Sequence, residues 1–175
     1  MVIVNKPESH FIFVFHSDCV YKGYNYINYQ GKPLPNKEYL EHWGKYVFFG
    51  TGEEMDELAK KFDSYVEKKL IPCIKYDRVA LENLGLSECV MCVYCDDRQK
   101  DEVWQILAGH GVEIKAWVYE KETMERWLPG GALLEKWIAA HDLSEKEAHA
   151  VREDARLKFE KMFADENAIF TGVEQ

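Results

Sequence analysis

The chain has 175 residues, 47% of them hydrophobic, and a formal net charge of -9. That length fits one domain with a sizeable core, and the charge excludes non-specific attachment to long nucleic acid, which needs clustered lysines or arginines. No stretch approaches the roughly 18 uninterrupted apolar residues of a membrane helix, so no membrane partner is expected.

The apolar run at 11–15 is too short for a signal-peptide core, and the five cysteines form an odd set in a domain that needs no cross-links. The sequence thus reads as one soluble, cytoplasmic α+β domain over residues 1–175, with reduced thiols and no cofactor implied. Residues 1–50 carry five lysines against four acidic side chains, which leaves about -10 on the remainder. Any anion site is therefore local.

In chain order, residues 11–16 predict a strand, and the period-two tyrosine stretch around Tyr24, Tyr26 and Tyr29 predicts its hairpin partner. The prolines at 33 and 35 predict a loop. Residues 45–49 predict a strand, and Thr51-Gly52-Glu53-Glu54 is a capping box opening a helix with its apolar stripe on Met55, Leu58, Ala59, Phe62, Val66 and neighbours. Strands at 73–78 and 89–95, a helix carrying Val103, Ile106 and Leu107, and a strand at 112–119 complete a strand-helix-strand-strand-helix-strand order. That order is a split βαβ unit on a curved antiparallel sheet, with a core of about 43–131 and both helices on one face. Beyond it, Met124, Trp127 and Leu128 predict a short helix ended by Pro129, and Leu134, Trp137 and Ile138 predict another. Ser144-Glu145-Lys146-Glu147 caps a long helix in a C-terminal helical segment at about 132–165.

Cys89, Cys92 and Cys95 have the spacing of a thiolate metal site, but in a strand Cys92 points away from the other two, so they read as small apolar residues. No metal site is predicted. Asp96 and Asp97 read as helix caps, and Gly50-Thr51-Gly52 lacks a full phosphate-loop pattern and is followed by two glutamates. The histidines show no metal-protease spacing, and no nucleophile arrangement can be argued.

The most informative pattern is alternation. In 112–119, Ile114, Ala116 and Val118 are expected to face the helices, which puts Lys115, Trp117 and Tyr119 on the opposite side. Lys75 and Asp77 are expected to share that open side, with Tyr94 joining them from the middle strand. Lysines beside rings suit a nucleotide, since rings stack bases and ammonium groups hold phosphate. The other reading keeps the same rings as core beneath the terminal helices or the tyrosine segment.

Several short motifs, Trp43-Gly44-Lys45-Tyr46, Lys75-Tyr76, Val93-Tyr94-Cys95-Asp96-Asp97 and Tyr119-x-Lys121-x-Thr123, resemble the basophilic-leukaemia-expressed protein family over about 43–131. That family is similar in fold to the mRNA cap-binding initiation factor of translation. The resemblance implies a concave sheet face able to take a nucleotide-like ligand, with Trp43 and Trp117 as the counterparts of base-stacking tryptophans. Some relatives carry a phosphothreonine-lyase label, which would match Lys75 as base and Arg78 on phosphate; in a regular strand these two alternate faces.

The leading expectation is a module binding a nucleotide or other phosphorylated small ligand through Trp43, Lys75, Lys115, Trp117 and Tyr119. The alternatives are a lyase or transferase on a phosphorylated substrate, and an interaction domain whose terminal helix docks on a partner or a second copy.

Overall fold

The computed structural model describes residues 2–6, 8–80 and 87–172. Strands β1 (Val2–Asn5) and β2 (Phe11–Phe15) are followed by the short helix α1 (Asp18–Tyr21), the two-residue strands β3 (Asn28–Tyr29) and β4 (Lys32–Pro33), and helix α2 (Asn36–His42). The split βαβ unit comes next: β5 (Trp43–Gly50), α3 (Gly52–Glu67), β6 (Cys73–Asp77), β7 (Cys89–Asp96), a 3-10 turn (Asp97–Gln99), α4 (Lys100–Gly109) and β8 (Trp117–Tyr119). Helices α5 (Glu120–Arg126), α6 (Ala132–Ala140) and α7 (Glu145–Met162) follow.

The fold is α+β, with a six-stranded antiparallel sheet in the order β1-β2-β6-β7-β5-β8. β5 and β6, joined through α3, flank β7, which is the split βαβ arrangement. Thr51 caps α3 as its sequence foretells: its hydroxyl accepts from Glu54 N–H while the Glu54 carboxylate accepts from Thr51 N–H at 2.7 Å. The stripe of α3 then buries Met55, Ala59, Phe62 and Val66 against Ile12, Val14, Ile74, Tyr76, Met91 and Val93 of the sheet, joined by Val103 and Leu107 of α4. Cys89 and Cys95 belong to this core and Cys92 lies on the other face, as strand alternation requires.

Two predicted elements differ. β2 pairs with β1 and β6 and not with the tyrosine stretch, because the apolar faces of β1 and β6 offer a full-length ladder. The tyrosine stretch instead crosses the opposite sheet face, making only the small β3–β4 hairpin, whose turn has Gln30 and Gly31 at positive φ. The expected loop around Pro33 and Pro35 contains the two-residue β4 and ends at Asn36, where helix α2, an element without a counterpart in the sequence reading, begins. Its first residue, Asn36, donates from its side chain to the Met162 and Asp165 carbonyls. This clasp draws residues 165–170 alongside 34–37, where Pro35 bridges Ile169 and Phe170 N–H donates to Leu34.

The face away from α3 and α4 is consequently half covered. Leu34, Tyr39, Trp43 and Phe170 form a second core with Tyr26, Tyr94, Met124, Met162 and Phe163 packed around it. The stripe of α7 is partly covered within the chain: Ala148, Val151 and Ala155 pack with Leu134 and Ile138 of α6, and Phe163 stacks near Tyr39 and Phe170.

Candidate functional site

Cross-strand register defines what lies on the face opposite α3 and α4. One row runs Phe13, Lys75, Cys92, Val47, and the next runs Phe15, Cys73, Tyr94, Lys45, Val118. Directly opposed residues share a face, so both rows present their side chains to the same side.

The second row is roofed. Tyr26 lies 5.2 Å from Phe15 and 6.5 Å from Trp43, ring centre to centre, and the Lys45 ammonium meets Glu120 of α5 at 2.7 Å. Burial pushes the Tyr26 and Tyr94 phenols far above their ordinary values, and the Cys73 thiol likewise. These groups stay neutral and serve packing.

The first row is less covered at its β2 end, where Phe13 and Lys75 are half-buried, whereas Cys92 further along it is buried. Phe11, Phe13 and Phe15 project on this side of β2, with Phe13 and Phe15 stacked at 5.7 Å and 8°. They wall a groove of about 520 Å3 together with Val4, Lys6, Glu8 and Ser9. A hollow of about 560 Å3 continues past Val4 and Phe15 toward Tyr24, Tyr26 and Phe170. The Lys75 ammonium sits 4.1 Å over the Phe11 ring, a cation–π contact, with no carboxylate at ion-pair distance among the described residues. Burial raises the Cys92 thiol, and the charges of Lys45 and Lys75 oppose that shift.

The five predicted ligand residues do not converge. Lys75 is on the open face as expected. Trp43 shares that side but is 1% exposed beneath the second core. Trp117, Lys115 and Tyr119 lie on the helix side, which corrects the alternation read from the sequence. Residues 112–116 are not strand, and in β8 Trp117 opposes Tyr46 while Val118 opposes Lys45. Trp117 packs edge-on against Tyr46 at 5.0 Å, and Lys115 sits over Trp104 of α4. Trp43 and Trp117 therefore flank opposite sheet faces and cannot sandwich one ring.

Tyr119 donates to Asp97 at 2.8 Å, and Asp97 also meets His42 Nδ1 at 2.8 Å. That hydrogen bond to Asp97, ahead of burial, raises the Tyr119 phenol. Asp96 caps the 3-10 turn through Arg98 N–H and takes the Arg98 guanidinium on both oxygens. His42, Asp96 and Asp97 bring potential ligand atoms within 4.8 Å of one another, but each carboxylate oxygen already has a protein partner. Arg78 donates to the Ser9 and Lys6 carbonyls, so it clamps the β1–β2 turn.

No family model, curated protein or solved structure matches the chain. Among the described residues, no helix is long and apolar enough to cross a membrane.

The residues that sequence reasoning missed are Phe11 and Phe13. Their alternation with buried Ile12 and Val14 was visible, but a run of five apolar residues reads equally as a strand covered on both faces.

Proposed function

We propose that this chain binds a nucleotide or a similar phosphorylated ligand with a flat ring on the uncovered half of its open sheet face. The supporting observation is Lys75, held over the Phe11 ring without a carboxylate partner among the described residues, beside the Phe11-Phe13-Phe15 wall. The ring of the ligand stacks on Phe13, and Lys75 with Lys6 meets its phosphate. Aromatic stacking of this kind contributes about 1–3 kcal/mol per base.

The likeness to a family with a cap-binding-type fold agrees with the choice of face but not with the residues it suggests. The binding wall proposed here is phenylalanine on β2 rather than Trp43 and Trp117. The lyase alternative gains no support, because Arg78 is engaged with the Ser9 and Lys6 carbonyls. The terminal-helix docking alternative has less apolar surface to offer, since Ala148 of the α7 stripe is buried and Val151, Ala155, Met162 and Phe163 are half-buried on α6 and the second core.

The test is titration of the protein with purine and pyrimidine nucleotides, capped dinucleotide and phosphothreonine peptide, followed by calorimetry. Nucleotide binding that is lost in Lys75→Ala and weakened in Phe13→Ala is the expected result. Binding left unchanged by both substitutions would overturn the reading.

A further inference from the structure

A second groove lies on the other side, at the far end of β5. It measures about 910 Å3 and runs between the first turns of α3 and the residues linking α4 to β8. Its floor is apolar, with Phe48, Met55, Leu58 and Val112, and at its mouth Ile114 is 72% exposed. Among the described residues its rim carries Glu53, Glu54, Glu57, Glu88 and Glu113 against the single cation Lys61. Glu54 is taken by the Thr51 cap and Glu57 meets Lys60, but Glu53, Glu88 and Glu113 have no ion pair among the described residues.

A strand edge opens into the same place. Val47 N–H donates to Ala116 O at 2.9 Å, the last hydrogen bond of β5 toward β8. Backbone groups alternate sides along a strand, so the Phe49 N–H and C=O point the same way as those of Val47. No described strand pairs with them. Apolar floor, uncompensated negative rim and free main-chain edge together suit an extended peptide whose side chains alternate between cationic and aliphatic.

We propose that this groove is the docking site for a short basic segment of a protein partner, which adds main-chain hydrogen bonds at Phe49, seats an aliphatic side chain on Leu58 and Ile114, and sets its lysines or arginines against Glu53 and Glu113. Edge addition supplies the affinity in such recognition, and the alternating side chains supply its selectivity. The negative rim also steers a cationic segment toward the groove. The site shares no residue with the Lys75 groove, so the two stand or fall separately.

The probe is a fluorescein-labelled peptide of about nine residues alternating arginine or lysine with valine or leucine, followed by anisotropy. Binding should weaken with added salt, fall about tenfold in the double variant Glu53→Gln/Glu113→Gln, and fall again in Ile114→Ser. These are exposed positions, and an unchanged circular dichroism spectrum and melting temperature would show that the fold is intact. Backbone amide shifts on peptide addition should centre on Phe49 and Ile114. Affinity unchanged in the double variant, complete displacement by spermine, or equal binding of a peptide with serine in place of its aliphatic residues would overturn the proposal.

Discussion

The Lys45 ammonium lies 2.7 Å from the Glu120 carboxylate, with the two side chains only 11% and 15% exposed. This pair fastens α5 to β5, next to the edge strand of the sheet, and the lysine also faces the Tyr94 ring at 5.7 Å. Removing one partner leaves the other buried and uncompensated, which typically costs about 3–5 kcal/mol. Lys45→Ala and Glu120→Ala should each lose roughly that much in chemical denaturation. Replacing both together by a packed apolar pair, Lys45→Met with Glu120→Leu, should recover most of the loss. An additive double variant would show that the pair does not act as a unit.

Gly44 allows β8 to close on β5. A Cβ there would meet Trp117 Cζ2 at 2.5 Å and the Val118 carbonyl oxygen at 2.8 Å. Gly44→Ala should destabilise by about 1–3 kcal/mol, the usual cost of overpacking, and should change the Trp117 fluorescence. An alanine variant as stable as the parent would mean that β8 is free to move outward.

The α6–α7 contact has a built-in acid limit. The Arg152 guanidinium and the Gly130 N–H hold the Glu135 carboxyl down to about 2, from an ordinary value of 4.5. A depressed carboxyl stabilises the folded state fully above its unfolded value, and the contribution fades as pH falls from about 4.5 toward about 2. Melting temperatures measured across that window should fall less steeply for Glu135→Gln than for the parent. The pair is partly open to solvent, with the Glu135 side chain 34% exposed, and the effect should shrink with added salt. Identical acid profiles would remove Glu135 from the account.

Trp117 and Lys75 separate stability from binding. Trp117→Ala should lower the melting temperature, because the ring packs on Tyr46 and the helix-side core, and should leave nucleotide affinity unaltered. Lys75→Ala should leave the melting temperature near that of the parent and lose affinity, because its ammonium lies over the Phe11 ring and has no ion pair among the described residues. Calorimetry of both variants under one buffer decides this. Loss of affinity in Trp117→Ala with a normal melting temperature would move the ligand to the helix side.

Local chemistry alone determined the split βαβ order, the Thr51 capping box, the α3 stripe and the facing of Cys89, Cys92 and Cys95. Each rests on hydrogen bonds or periodicity within a few residues, so its physical cause is contained in the segment itself. The strand at 112–119 shows where that reasoning ends. Its alternation looked continuous, but only Trp117–Tyr119 forms a strand, with one further bond from Val47 to Ala116, and pairing of Trp117 with Tyr46 turns its ring toward the helices. A strand's faces are assigned by the neighbour it pairs with, and a slip of one residue reverses them. The cover over Trp43 was equally illegible, because it depends on Asn36 meeting carbonyls 126 and 129 residues away. Only tertiary structure decided which rings of the open face are core and which line a groove, since that depends on long-range closure that no local pattern encodes.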